Sequence, residues 1–137
     1  MWEIESIPDE THLFYRLHKS FIVEGEVLPG AFQERGEGNE RGMSTDWAKY
    51  STAGEALHRS KAPHENAIVQ FHVGKIRSLP SLEVVHAPMA DNRAHCHIKG
   101  IPHERQLKTQ VRFLLKRSFK WCIEPEDTLL TKNDWNF

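Results

Sequence analysis

The chain has 137 residues, of which 39% are hydrophobic and 27% are charged, with a formal net charge of -1. This balance is typical of one globular domain and excludes wholesale disorder, so we expect a single domain over residues 1–137. No apolar run approaches the ~18 residues of a membrane span, and the acidic opening segment lacks the apolar core of a secretory signal. The two cysteines, Cys96 and Cys122, have no Cys-x-x-Cys spacing. They favour a reducing, cytoplasmic location, and we expect no association with a membrane.

The first ordered element is the segment THLFYRLHKSFI at 11–22, whose polar and apolar residues alternate as in a half-buried strand. On such a strand Arg16 and His18 share one face. An arginine on a sheet needs either an anion or a carboxylate as its partner. The pattern therefore predicts a phosphate-type site at Arg16, with an ion pair at the sheet edge as the alternative.

A polar segment follows at 33–42, with three glycines and no apolar side chain, which predicts a mobile surface loop. After it, Ser44, Thr45 and Asp46 carry turn chemistry, and we expect them to begin a turn or cap a short helix. The alternative is that Ser44 contacts a ligand beside the loop. A short helix is predicted within 51–60, because Ser51 or Thr52 stands at capping-box spacing from Glu55.

The middle of the chain predicts a buried strand running into a short helix at 67–79, then strands at 82–88 and 94–100. Residues 88–93 are expected to form the turn between the last two strands, shaped by Asp91 and Asn92. On the final strand His95 and His97 share a face, whereas Cys96 points the other way into the core.

These histidines raise the question of a metal site. His95 and His97 would need His86 or Asp91 as a further ligand. The nine histidines are spread over the whole chain, so surface or half-buried roles are favoured and no metal ligand is assigned.

The segment 101–122 predicts a long amphipathic helix that starts near Pro102. Its apolar residues recur at helical spacing, and its other side is basic. Residues 104–120 contain six bases and one acid. Lys108 and Arg112 are candidate contacts for a nucleotide or nucleic-acid phosphate, although a solvated face is the commoner role of such a stripe. Residues 124–137 are expected to form a peripheral tail.

Together these elements predict an α+β fold, in which a mixed or antiparallel sheet is packed by one long C-terminal amphipathic helix and one short helix.

Four segments, LFYRLH, GAF, GMSTDWAKYST and HAPMADNRAHCHIKG, resemble small bacterial proteins that have no assigned function. Those proteins share an opening strand with arginine and histidine, a Ser-x-Asp turn and a Pro…Asn-x-Ala-His segment. The order of Arg16, Ser44 and Glu55 also resembles ADP-ribosyltransferase-like folds, including the RES-domain toxins. That resemblance implies a reaction that consumes NAD.

Three functions follow as hypotheses, and no cofactor is assigned. The first is an accessory or binding domain that recognises a partner protein, a nucleotide or a nucleic-acid phosphate, with Arg16, Ser44, Asn92, Lys108 and Arg112 as ligand contacts. The second is a nucleotide- or NAD-handling enzyme, in which Arg16 holds phosphate and either His18 or His95 acts as acid or base. It requires Arg16 and His95 to share a pocket. The third is a metal-dependent enzyme that uses His86, His95 and His97.

Overall fold

Strand β1, His12–His18, lies at the centre of the sheet and has the predicted alternation. Leu13, Tyr15 and Leu17 are buried on one face, while Arg16 and His18 are exposed on the other. The computed structural model describes residues 2–125 of the chain. Because β1 pairs on both sides, the residues of its polar face lie next to those of the two strands that flank it.

The described residues form an α+β domain. Its strands are β1, β2 Ile22–Val23, β3 Glu26–Val27, β4 Met43–Trp47, β5 Asn66–His72, β6 Glu83–His86, β7 His95–Lys99 and β8 Lys120–Ile123. Its α-helices are α1 Ala53–His58, α2 Val73–Arg77 and α3 Arg105–Lys116. Six strands make one antiparallel sheet in the order β6-β7-β4-β1-β5-β8, and β2 and β3 form a separate hairpin.

The register of the sheet decides which side chains meet. Phe14 lies opposite Asp46, and Asp46 lies opposite His95. Two residues further along the same strands, Ser44 lies opposite His97. Since directly opposite side chains share a face, strands β1, β4 and β7 present one continuous polar surface.

The other face of the sheet carries the hydrophobic core. Helix α2 packs against β5 and β6, and α3 packs against the 3₁₀ turn at Pro29–Ala31. The largest side chains that are fully buried are Leu13, Leu17, Val27, Phe32, Met43, Trp47, Ile68, Val69, Phe71, Ile76, Ile98 and Leu115. Helix α1 packs against β1 and β5, and its Ala56 carbonyl accepts a hydrogen bond from Arg16 on the polar face.

The predicted capping box begins helix α1. The Thr52 hydroxyl accepts a hydrogen bond from the Glu55 amide at 3.1 Å, and the Glu55 carboxylate accepts one from the Thr52 amide at 2.9 Å. The predicted strand running into a short helix at 67–79 is also confirmed within a few residues, as are the predicted strands at 82–88 and 94–100.

The prediction of a turn or helix cap at Ser44–Asp46 is wrong, because these residues belong to strand β4. Met43, Thr45 and Trp47 alternate into the core, and β4 pairs with β1 and with β7. Tertiary pairing on both sides therefore overrides the local turn chemistry of Ser-Thr-Asp.

The prediction of one long C-terminal helix is also wrong, both in the length of the helix and in its position. Helix α3 has 12 residues, starts after the N-cap Glu104, and is followed by strand β8. Only Val111 and Leu115 of its apolar residues are buried, whereas Leu107 is 49% exposed. Cys122, the last residue of the predicted helix, lies on β8, because that strand adds to the edge of the sheet beside β5.

Two further segments were singled out by sequence. Within 33–42, Arg35 and Gly42 exchange two backbone hydrogen bonds of 2.9 Å around a short 3₁₀ turn at Gly38–Glu40; the mobility of this segment stays a prediction. The predicted tail at 124–137 lies outside the described residues from 126 onward.

Among the helices of residues 2–125, none has the length and apolar character needed to cross a membrane.

Candidate functional site

Three neighbouring cavities open on the polar face of the sheet, and Ser44 lines all of them. We call them the central, apolar and basic cavities, and together the cleft. Their volumes are about 460, 600 and 360 Å³, respectively. Each is of the size that holds a small ligand or one part of a larger one.

The central cavity contains four of the residues predicted from sequence, namely Arg16, Ser44, Asn92 and His95. They come from β1, β4, the β6–β7 loop and the start of β7. Its full lining is Phe14, Arg16, Ser44, Thr45, Asp46, Arg59, Met89, Asp91, Asn92 and His95. Arg16 and His95 therefore share a pocket, as the enzymatic hypothesis requires.

Arg16 is only partly satisfied by the protein. One of its terminal nitrogens, Nη1, donates to the Ala56 carbonyl oxygen at 2.9 Å. No carboxylate of residues 2–125 lies within ion-pair distance of it. Because a guanidinium has five N–H donors, several remain to bind an anion in the cleft.

The basic cavity is lined by donors and by no carboxylate of the described residues. Its lining is Tyr15, Arg16, His18, Phe21, Ala31, Gln33, Arg35, Ser44 and Asn66. His18 lies here and not in the central cavity. Its ring is held at the rim, with Nδ1 bonded to Ser20 and Nε2 3.6 Å from the Glu65 carboxylate.

Ser44 and His95 are hydrogen-bonded across the strands β4 and β7. His95 Nε2 lies 3.2 Å from Ser44 Oγ, and His95 Nδ1 lies 2.8 Å from the Ala87 carbonyl oxygen. Ser44 is exposed to the cleft. The imidazole is therefore fixed at both nitrogens, with one of them directed at a free hydroxyl.

A buried carboxylate organises the floor of the central cavity. Asp46 is only 4% exposed and accepts hydrogen bonds from Arg59 Nη1 at 3.1 Å and from Asn92 Nδ2 at 2.8 Å. The same Arg59 nitrogen donates to the Ser51 hydroxyl at 2.9 Å. Asn92, predicted as a ligand contact, thus also anchors its own loop to the sheet.

His97 supports His95 from the side. The two rings meet edge to face with their centroids 4.8 Å apart. Burial is the main cause that lowers the pKa of His97, and the nearby His95 and Lys99 lower it further. The backbone at Gly42 lies so close that a β-carbon there would come within 2.7 Å of the His97 Cβ.

The three histidines proposed as metal ligands all line the apolar cavity, but His86 is directed differently from the other two. His86 lies opposite Cys96 in the register, so it points to the core face, away from His95 and His97. Its Nδ1 accepts a hydrogen bond from the Glu5 amide at 2.9 Å, and its Nε2 donates to the Arg93 carbonyl oxygen at 2.7 Å. The contacts of His86 therefore give no support to the metal-dependent hypothesis built on this trio. No group of three or more potential metal ligands occurs within residues 2–125.

The apolar cavity contains residues that sequence reasoning missed. Trp2, Ile4, Pro88 and Met89 line it. Its polar lining residues are Arg35, Asn39, Glu40, Ser44, His86, His95, His97 and Lys99. Trp2, Ile4 and Met89 are between 42% and 77% exposed. The sequence patterns assigned none of these four apolar residues to a ligand site.

Two predicted phosphate contacts lie elsewhere. Lys108 and Arg112 line a separate cavity of about 160 Å³ beside α3, which contains neither Arg16 nor His95. Arg112 Nε donates to the Phe32 carbonyl oxygen at 2.9 Å and so helps to hold α3 on the domain. Glu55, the third residue of the ADP-ribosyltransferase resemblance, caps α1 and lines none of the three cavities of the cleft.

Compared with known proteins, the chain matches no protein-family model and shows no significant similarity to a curated protein or to a solved structure.

Proposed function

We propose that this domain binds a nucleotide or a closely related phosphate-bearing small molecule in the cleft around Ser44. The observation that carries the proposal is the pairing of Arg16 with Arg35 in a cavity whose described lining has no carboxylate. Two guanidinium groups without carboxylate partners favour an anion with several oxygens, and phosphate suits their fork geometry.

The neighbouring apolar cavity supports a nucleotide over inorganic phosphate. Trp2, Pro88 and Met89 provide flat or flexible apolar surface next to the basic cavity, and Arg35 lines both. An aromatic base stacks well on such surface. Phosphate would then occupy the basic cavity, with the base in the apolar one.

The helix α3 offers weaker support for a nucleic-acid partner. Arg112 is committed to the Phe32 carbonyl, and Lys116 lies 3.4 Å from the Glu26 carboxylate. Some of the charged groups and hydrogen-bond donors of the basic stripe are therefore already engaged within the domain. This is typical of a solvated helix face with a structural role.

The proposal is tested by titration calorimetry with AMP, ADP, NAD, adenosine and inorganic phosphate. We expect the three nucleotides to bind more tightly than adenosine or phosphate alone. Arg16→Gln and Arg35→Gln should each weaken nucleotide binding by about 10- to 100-fold, the loss expected for one charge-assisted contact.

Lys108→Gln is the matched control, because it removes one positive charge from α3 without touching the cleft. The proposal is wrong if no nucleotide binds at millimolar concentration. It is equally wrong if Arg16→Gln and Lys108→Gln weaken binding by the same factor.

A further inference from the structure

We infer that Ser44 and His95 form a nucleophile–base pair that acts on phosphate esters; the choice of phosphate esters rests on the proposed function. The pair goes beyond binding, because a hydroxyl and a histidine in hydrogen-bond contact have the arrangement of an activated nucleophile.

The hydrogen bonds define the tautomer of His95. The Ala87 carbonyl oxygen can only accept, so His95 Nδ1 carries the hydrogen of that 2.8 Å bond. In the neutral ring Nε2 then has a lone pair, and at 3.2 Å it accepts the hydrogen of the Ser44 hydroxyl. His95 is thus oriented to take a proton from Ser44, with Ala87 as the third, orienting group.

The surroundings hold the pair in place. Ser44 lies in a strand that is paired on one side with β1 and on the other with β7, which carries His95. The ring of His97 packs edge to face on His95 and limits its rotation. Reactive groups on paired strands are positioned more precisely than groups on loops.

Arg16 supplies the charge that the reaction requires. Arg16 and Ser44 both line the central and the basic cavities, and Arg16 has hydrogen-bond donors left for an anion. Negative charge that develops on phosphoryl oxygens next to Ser44 would face this guanidinium.

The chemical steps balance with water as the only co-reactant. Ser44 Oγ attacks phosphorus and forms an O–P bond while the bond from phosphorus to the leaving oxygen breaks. The hydroxyl proton passes to His95 Nε2 and then to the leaving oxygen. Water next attacks the phosphoserine ester and gives one proton to His95, the P–Oγ bond breaks, and that proton returns to Ser44 Oγ.

Diisopropyl fluorophosphate tests the pair directly. In its reaction the Ser44 Oγ–P bond forms, the P–F bond breaks, fluoride leaves and the serine proton passes to His95. We expect intact-protein mass spectrometry to show one added diisopropylphosphoryl group, and peptide mapping to place it on Ser44.

His95→Asn is the informative variant, because the asparagine amide can still donate to the Ala87 carbonyl but offers no base at the position of Nε2. Labelling should slow by at least about 100-fold, the usual contribution of a general base. His64→Gln is the control and should be labelled at the wild-type rate, since the exposed His64 lines none of the three cavities of the cleft. Ser44→Ala should be folded and unlabelled.

Wild-type protein that is not labelled at Ser44 would overturn the inference, and so would an unchanged labelling rate in folded His95→Asn. The probe is uncharged and does not need a phosphate-binding cavity, so the two proposals fail separately. Labelling without nucleotide binding contradicts the proposed function alone, whereas nucleotide binding without labelling contradicts the nucleophile–base pair alone.

Discussion

Asn92 donates a hydrogen bond of 2.8 Å to Asp46, which joins the loop between β6 and β7 to the middle of the sheet. Arg59, at the end of helix α1, bonds the other carboxylate oxygen at 3.1 Å. One buried carboxylate therefore holds together strand β4, the end of helix α1 and the loop before β7.

Asp46→Ala should destabilise the domain. The substitution leaves the partly buried Arg59 guanidinium and the Asn92 amide without their shared acceptor. Loss of one member of a buried pair costs about 3 kcal/mol, and urea denaturation would measure it as a lower free energy of unfolding. Asp91→Ala, in the exposed part of the same cavity, should change that free energy by no more than about 0.5 kcal/mol. Equal effects of the two substitutions would show that Asp46 is not the anchor.

His97 should make the stability of the domain depend on pH. Its pKa is lowered in the folded state, mainly by burial and then by His95 and Lys99, while Glu40 and Glu34 oppose the shift. In the unfolded chain the pKa returns to about 6.5. The unfolded state therefore binds the proton first as pH falls, so stability is present above about pH 6.5 and is lost as pH decreases towards the folded pKa.

We expect His97→Asn to reduce this loss. Urea denaturation between pH 8 and pH 5 should show a smaller decrease in the free energy of unfolding for the variant than for the wild type. A decrease of the same size in both proteins would mean that His97 does not contribute to the pH dependence.

The two cysteines should differ in reactivity. Burial, together with the nearby charge of Asp46, raises the pKa of Cys96 to about 12, and its side chain is fully buried. Cys122 is exposed, although partial burial of its thiol raises its pKa as well. In the native protein a chromogenic disulfide reagent should modify one thiol, and the rate should increase with pH because the thiolate is the reactive form. Cys122→Ser should abolish this native reaction, and fast modification of Cys96 would contradict the prediction.

Gly42→Ala should disturb the candidate site through His97. The new β-carbon would come within 2.7 Å of the His97 Cβ, closer than side chains pack, so His97 must move. Overpacking of this kind costs about 1–3 kcal/mol, measurable by urea denaturation. Displaced His97 should also release His95 and slow the labelling of Ser44. Gly30→Ala is the matched control, because nothing lies within 4 Å of a β-carbon there, and its stability and labelling should match the wild type.

Much of the sheet was predictable because its signals are local. The alternation of β1 placed Arg16 on the polar face. The same alternation on β7 placed His95 and Cys96 on different faces of the sheet. The capping box of α1 was readable from Thr52 and Glu55. In each case the residues that decide the structure lie within a few positions of one another.

The failures have a common physical cause, which is pairing with distant strands. Ser44 and Asp46 carry turn chemistry, yet β4 is a strand because β1 and β7 flank it. The predicted helix ends early because residues 120–123 add to β5 instead of continuing as a helix. Of the cleft, the meeting of Arg16 with His95 was a requirement of the enzymatic hypothesis and not a prediction, because strand parity does not give the order of the strands. The contribution of Arg35 could not be predicted either, because nothing in the polar loop distinguishes that arginine from its neighbours.

The strand order has a consequence for how the domain folds. Strand β1 pairs with β4 and β5, which both come later in the chain, and β7 joins β4 only after some 50 further residues. Contacts of such long sequence separation form late and favour slow, cooperative folding. The cleft draws on β1, β4 and β7 together, so it exists only once the sheet is complete. A molecule bound there stabilises the whole domain by mass action, and a shift of the single melting transition would report its binding.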